Sequence, residues 1–250
     1  MRKRPPPRTL DVLGKEHFTP NMLRVTLGGT GLHGFPDETD GAYVKLRLAE
    51  PEAEGDKPLI RTYTVRYFRS EPCEMDIDFV LHDVDGPAAD WARACAPGDR
   101  IRLGGPGPKK IADHSADWFL FAGDMSALPA IGANLEALPR DARGYALCEI
   151  IDAADKQDID APDGIEIQWI VNAHPDEENT ILLDAAKAVE WLDGEPYAWV
   201  AGEFSQSLAI RAWLKSDRGL TRERMYASSY WQIGQTEDGH RVSKASVADD

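Results

Sequence analysis

Arg61-Thr62-Tyr63-Thr64-Val65-Arg66 puts two guanidinium groups, two hydroxyls and one flat ring into a single short run. Tyr63 and Val65 alternate with hydroxyls in a β-branched, aromatic stretch, which is a strand pattern. Arginine donors suit phosphate oxygens, and a tyrosine suits a planar face. A strand built this way can serve a large, planar, anionic ligand such as a flavin dinucleotide. An amphipathic edge strand with a solvated polar face has the same pattern.

Three further stretches carry residues of chemical interest. Asp78-Phe79-Val80-Leu81-His82 leads through Gly86 into a helix opened by Pro87, with Ala88 and Trp91 following. A helix start of this kind exposes N–H groups that bind phosphate, although an ordinary strand–turn–helix connection reads the same way. Ala122-Gly123-Asp124-Met125-Ser126-Ala127 is a strand end feeding a helix, the place where open α/β sheets bind ligands. It is not the G-x-G-x-x-G fingerprint, and Asp124 or Ser126 also suits a plain helix cap. Gly202-Glu203 ends another apolar run, and Tyr230-Trp231 ends a third. Glycine lets a ligand approach the backbone, and the two aromatics suit either a nicotinamide or flavin ring or core packing.

The elements that must position these groups change rhythm near residue 104. Before it, short alternating runs at Leu10 to Val12, Leu23 to Leu27, Tyr43 to Leu48, Arg61 to Arg66, Met75 to Leu81 and Arg100 to Leu103 read as strands. Only Ala88 to Ala96 reads as a helix, so a small antiparallel barrel is expected. After Gly104-Gly105-Pro106-Gly107-Pro108 the pattern becomes βαβα. Strands are expected at Trp118 to Ala122, Tyr145 to Ile151, Ile165 to Val171, Tyr197 to Ala201 and Arg224 to Ser229. Helices are expected at Ala127 to Leu138, Thr180 to Leu192 and Ser207 to Lys215, giving a parallel sheet covered by helices. The expected domains are 1–108, 109–236 and a polar, partly ordered tail at 237–250.

A formal net charge of -15 argues against nonspecific binding to nucleic acid or to an anionic membrane surface. No apolar run reaches membrane-spanning length, and Pro5-Pro6-Pro7 stands where a signal peptide would need an apolar core. A soluble, cytoplasmic monomer is the expectation. Cys73, Cys95 and Cys148 are widely spaced and the six histidines are scattered, so neither a disulfide framework nor a bound metal is expected. No Ser/His/Asp or Cys/His spacing supports a hydrolase.

In combination and in order along almost the whole chain, these stretches resemble the siderophore-interacting proteins, flavin-dependent ferric-siderophore reductases. The resemblance rests on Arg61 to Arg66, on Asp78 to His82 with Gly86-Pro87-Ala88 and Trp91, and on Gly123-Asp124 with Ala127 to Ile131. Ala201-Gly202-Glu203 and Tyr230-Trp231 with Gly234 complete it. It implies a six-stranded Greek-key FAD-binding barrel followed by a Rossmann-like NAD(P)H-binding domain. Arg61, Thr62, Tyr63, Thr64, Val65 and Arg66 would form the flavin-contacting strand, with Thr64 at the N5 edge, Tyr63 at the ring or ribityl face and Arg61 at the phosphates. Asp78, Phe79, Val80, His82, Gly86, Pro87, Ala88 and Trp91 would help hold the rest of the FAD. Asp124, Ser126, Ala127, Gly202, Glu203, Tyr230 and Trp231 would lie where nicotinamide and flavin meet. Two positions depart from the family pattern: Met125 stands where an acidic residue is usual, and Gln232 where arginine is common.

The implied substrate site is basic, with Lys45 on its strand and Arg241 and Lys244 of the tail as candidate partners. Ferric catecholates are anionic, so a local cationic pocket must overcome the global charge. The implied reaction passes electrons from NADPH or NADH through FAD to siderophore-bound Fe(III), with no side chain acting as acid or base; a ferredoxin could replace the nicotinamide as donor. Two alternatives remain at this level: a general flavin or ferredoxin-type reductase, and a siderophore-binding module that performs no reduction.

Overall fold

The computed structural model describes residues 6–49, 57–81 and 86–246. The chain divides into two compact units, Met1–Lys110 and Ile111–Asp250.

The first unit is a closed antiparallel barrel. Its strands are β1 (Arg8–Thr19), β2 (Met22–Gly28), β3 (Tyr43–Ala49), β4 (Leu59–Arg69), β5 (Glu74–Val80) and β6 (Arg100–Gly104). They close in the order β1-β2-β5-β4-β3-β6, the antiparallel barrel expected from the strand spacing and the Greek-key order implied by the family resemblance. Alternation fills the interior: Leu23, Val25 and Leu27 of β2 and Met75, Ile77 and Phe79 of β5 are all buried in one cluster. Helix α1 (Pro87–Ala94) adds Ala88, Ala89 and Ala92 to that cluster.

Strand β1 is much longer than the expected Leu10 to Val12. Gly14 follows a register shift between Val12 and Gly14, and the strand continues to pair with β2 as far as Thr19. The irregularity breaks strict alternation, which hides the strand from a period-2 search.

On the other side of β5, Asp76 and Asp78 are buried charges with assigned partners. Arg24 donates to both oxygens of Asp78 at 2.7 and 2.8 Å, and Arg69 donates to Asp76. Burial pushes the Asp78 carboxyl up while Arg24 pulls it back. Register explains the pairing, because Arg24 lies directly opposite Asp78 across β2 and β5.

The second unit is a five-stranded parallel sheet. Strands β7 (Trp118–Gly123), β8 (Arg143–Ile150), β9 (Gly164–Val171), β10 (Pro196–Glu203) and β11 (Met225–Trp231) lie in the order β11-β10-β7-β8-β9. Helices α2 (Leu128–Ala137), α3 (Ile181–Ala188) and α4 (Phe204–Ser216) connect them. Strand β7 is buried at every position, as a central parallel strand with both faces covered must be. The order reverses between β7 and β10, which makes their carboxyl ends the topological switch point of the sheet.

Two elements of this unit also differ from expectation. Helix α3 stops at Ala188 and not at Leu192, because Val189 adopts extended geometry and joins the buried apolar cluster. The stretch expected as a polar tail contains helix α5 (Glu237–Ser246). His240 is buried there, with its ring edge-on to Phe204 at 6.1 Å and Nε2 2.8 Å from Ser229 Oγ. A short helix with one buried polar anchor leaves no apolar stripe for the sequence to show.

Removing Asp78 would strand the Arg24 guanidinium. We expect Asp78→Ala to destabilise the protein by about 3–5 kcal/mol in urea melts, and a loss below about 1 kcal/mol would refute the structural role given to this pair.

Candidate active site

In the barrel unit, β4 presents its residues to two faces. Tyr63 and Val65 turn inward, and the Tyr63 ring lies 4.5 Å from Phe79, which lies 5.7 Å from Trp91. Three of the aromatic residues singled out in the sequence, or lying in its flavin stretch, are thus brought together from β4, β5 and α1. Thr62 and Thr64 occupy the opposite face. There Lys45 of β3 is the direct cross-strand partner of Thr62, and Tyr43 that of Thr64. The exposed Lys45 donates from Nζ to Thr62 Oγ1 at 3.2 Å.

Arg61 is half-buried and folds back to donate to the Ile60 carbonyl at 2.9 Å. Arg66 is buried, with its guanidinium 4.0 Å over the Tyr67 ring, and it contributes to the field on Asp78. Val80 ends β5 opposite Met22. Asp78 has both oxygens engaged by Arg24, as described above.

At the start of α1, Gly86 occupies the N-cap with no side-chain capping bond, Pro87 follows, and Ala88 is buried. A Cβ at Gly86 would meet nothing within 4 Å. His82 lies outside the described residues. An uncapped helix start, an arginine, two hydroxyls and a cluster of rings form a donor set that fits an FAD, pyrophosphate and ring system alike.

In the α/β unit, the switch point is organised by one carboxylate. Asp124 follows β7, is buried, and accepts four hydrogen bonds. Its Oδ2 takes Glu203 N at 2.7 Å and Trp231 Nε1 at 2.8 Å, while Oδ1 takes Ser126 N at 2.9 Å and Ser126 Oγ at 2.5 Å. Burial pushes this carboxyl up, and the donors from Ser126, Trp231 and Glu203 oppose that shift. Asp124, Ser126, Glu203 and Trp231, four of the residues singled out in the sequence, therefore meet at one point.

Gly202 is the fifth member of this group. Its φ is 140°, and a Cβ there would lie 2.5 Å from Asp124 Oδ2. Only glycine permits both the turn and the close approach. Ala127 is buried at the start of α2, and Met125 is buried beside it. Tyr230 is adjacent to Trp231 on β11, and burial of its hydroxyl raises its pKa well above that of an ordinary tyrosine.

The sequence did not single out the second layer. Glu149 of β8 is buried and accepts from Asn172 Nδ2 at 2.7 Å and Gln206 Nε2 at 3.0 Å. Gln206 in turn accepts from Leu182 N and donates its own N–H to the Glu203 carboxylate. Burial pushes the Glu149 carboxyl up, and the neighbouring Asp124 and Glu203 charges add to that. The available signal was a lone acid inside the apolar run Tyr145-Ala146-Leu147-Cys148-Glu149-Ile150.

On α5, Lys244 Nζ donates to Ser228 Oγ at 2.7 Å and to the Ser229 carbonyl at 2.8 Å, and Arg241 is exposed. The helix is thereby tied to β11. His240 has a lowered pKa, from burial and from the Lys244 charge. Among the described residues no group of three or more His, Cys, Asp or Glu side chains is placed to hold a metal ion. Nor is any helix among them long and apolar enough to cross a membrane.

Comparison with known proteins matches residues 11–56 and 49–110 to the siderophore-interacting FAD-binding domain, and residues 116–234 to the siderophore-interacting protein model. The chain belongs to the siderophore-interacting protein family. It is 36% identical over 261 residues to the ferric vibriobactin reductase ViuB of Vibrio cholerae, covering 98% of this chain and 96% of that protein. It is 28% identical to the NADPH-dependent ferric-chelate reductase of Escherichia coli, covering 90% of this chain and 92% of that one. The crystal structure of the siderophore-interacting protein SipS from Aeromonas hydrophila superposes with a TM-score of 0.88 at 32% identity, covering 98% of this chain and 99% of that one. Within this family the barrel is the FAD-binding domain.

The Asp124 arrangement leaves no room for a methyl group at residue 202. Gly202→Ala should cost about 1–3 kcal/mol of stability from backbone strain and displaced hydrogen bonds, read as a lowered thermal midpoint. An unchanged midpoint would mean that the carboxylate does not pin the end of β10.

Proposed function

We propose that this protein is a ferric-siderophore reductase that draws electrons from a nicotinamide dinucleotide through FAD and releases iron as Fe(II). Bound FAD would supply the conversion between two-electron donation by a nicotinamide and one-electron uptake by iron. The chain's own residues bind, orient and shield. Arg61 and the uncapped start of α1 suit the FAD phosphates, Thr64 the heteroatom edge of the ring, and the half-buried Tyr63 and Trp91 rings, packed on Phe79, the planar body. At the carboxyl edge of the α/β unit, Gly202 and the Asp124-anchored Trp231 provide a close-approach backbone and an oriented indole for the nicotinamide end.

The observation that carries the ferric-chelate reading is Lys45. It is an exposed cation hydrogen-bonded to Thr62, two residues before Thr64 and on the same face of the barrel, in a protein of formal net charge -15. A reductase of neutral flavins or quinones has no need of a positive charge there, whereas an anionic ferric catecholate does. The names of the Vibrio and Escherichia relatives support the same substrate class. Arg241 and Lys244 are proposed as further cations for that chelate, and a cytoplasmic location fits a reaction that consumes a nicotinamide dinucleotide. No side chain is assigned a proton transfer, because reduction of a chelated ferric ion requires none.

Lys45→Ala tests the reading through steady-state kinetics, with Fe(II) trapped by a ferrous chelator. The Michaelis constant for an anionic ferric catecholate should rise about tenfold, with FAD content and the Michaelis constant for the nicotinamide unchanged. An unaltered constant for the chelate would remove Lys45 from the substrate site and favour the general flavin reductase.

A further inference from the structure

The amino edge of the parallel sheet, opposite the switch point, holds a cavity that the reaction proposed above does not use. Its volume is about 230 Å³, and Trp191, Glu195, Arg218, Gly219, Thr221 and Arg224 stand in its wall. We propose that this cavity binds a small oxyanion, a phosphate or a short carboxylate, through the guanidinium groups of Arg218 and Arg224.

The segments that form the wall are tied down by the chain itself. Glu195 leads into β10; its N–H donates to Asp117 Oδ2 at 2.7 Å, and its carbonyl accepts from Asp117 N at 2.9 Å. Beside it, Arg143 Nη2 donates to the Asp193 carbonyl at 2.7 Å. On the other side, the connection from α4 to β11 is held by Leu220, which is buried and donates from its N–H to the Leu214 carbonyl at 2.9 Å. A single 3-10 turn, Arg222–Arg224, then places Arg224 directly before β11.

Neither arginine is neutralised by the chain. The Arg218 guanidinium lies 4.5 Å from the centroid of the Trp191 ring and 5.2 Å from that of Trp213. Packing on indoles orients a guanidinium while leaving its in-plane N–H donors for a ligand. Arg224 is half-buried, and its Nη1 is shut off from solvent with no hydrogen-bond partner. Among the described residues no carboxylate is ion-paired with either side chain. The acids nearby are engaged within their own segments: Asp217 accepts from Ser216 Oγ, Asp113 from Ser115 N at 3.0 Å, and Glu223 from the Thr221 hydroxyl. The bonds from Ser115, with the Arg224 charge as a lesser cause, hold the Asp113 carboxyl below its ordinary range. Glu195 is the one acid in the wall, and it is exposed. Two cations against one acid make the cavity locally positive in a protein of formal net charge -15. A half-buried cation without a counter-charge is costly, and a bound anion removes that cost.

Size and position narrow the occupant. Sites for drug-sized ligands enclose roughly 300–1,000 Å³, so this smaller cavity takes a small ion. Guanidinium forks match the paired oxygens of carboxylates and phosphates. β10 runs for 8 residues, from Pro196 beside the cavity to Glu203 at the switch point. That length separates the two by about 23 Å, too far for the occupant to touch Gly202 or Trp231.

The test is isothermal titration calorimetry of the FAD-loaded full chain with inorganic phosphate and, separately, with succinate, at constant ionic strength. Wild type should bind at least one of them saturably, and the tighter of the two identifies the anion class. Arg224→Gln should weaken that binding about tenfold or more, the loss of a charge-assisted contact. Arg140→Gln, which removes an exposed arginine paired with Asp160, should bind as wild type does. A second measurement needs no variant: the anion should slow phenylglyoxal modification of Arg218, read by peptide mass mapping, and leave that of Arg140 unchanged. No saturable binding of either anion, binding that Arg224→Gln leaves intact, or an unaltered rate of Arg218 modification would overturn the proposal.

Discussion

A single buried carboxylate holds the carboxyl edge of the parallel sheet together. Asp124 accepts from the backbone after β10, from the indole of β11 and from Ser126 at the start of its own helix. Three strand ends that are distant in sequence are thereby fixed at the switch point of the sheet. An unpaired charge so deep would be expelled or neutralised, and the four donors are what make it tolerable. The same requirement dictates the glycine at 202, because no side chain can share that space with Oδ2. Behind it, Glu149, Gln206 and Asn172 form a second polar layer that ties the starts of α3 and α4 to the sheet. Indole orientation, backbone approach and helix placement at this edge all follow from satisfying two buried acids.

The barrel solves a different problem. Its interior is apolar and closed, which leaves only the strand edges, the outer face and the start of α1 for polar groups to meet a partner. β4 divides its work by alternation, sending Tyr63 toward Phe79 and leaving Thr62 and Thr64 beside Lys45. The ion pairs of Asp76 and Asp78 with Arg69 and Arg24 stabilise the neighbouring face. Two strands of one barrel thus carry residues of the same types in different settings, and only register tells them apart.

That distinction marks the limit of what the sequence makes legible. Strand alternation before residue 104 and the βα rhythm after it are strong periodic signals, and both units follow from them. Asp124, Gly202, Glu203 and Trp231 stand out because each interrupts or ends an apolar run. Asp78 stands out for the same reason, yet its partner Arg24 lies 54 positions away and can be paired only through register. Glu149 interrupts an apolar strand as plainly as Asp124 does, but the amides that hold it come from β9 and α4. Helix α5 has no apolar stripe, and His240 becomes its anchor only when Ser229 is brought alongside. Local pattern reveals which residues are unusual, and long-range contact decides what they do.

The central claim is that one chain accepts electrons from a nicotinamide and passes them to a chelated ferric ion. An anaerobic absorbance titration of the purified protein tests it most directly, first with a reduced nicotinamide dinucleotide and then with a ferric catecholate. The flavin band near 450 nm, about where oxidised flavins absorb, should bleach on adding the nicotinamide and return on adding the ferric complex. A flavin band that the nicotinamide leaves intact, or one that bleaches and is not restored by the ferric complex, would contradict the account.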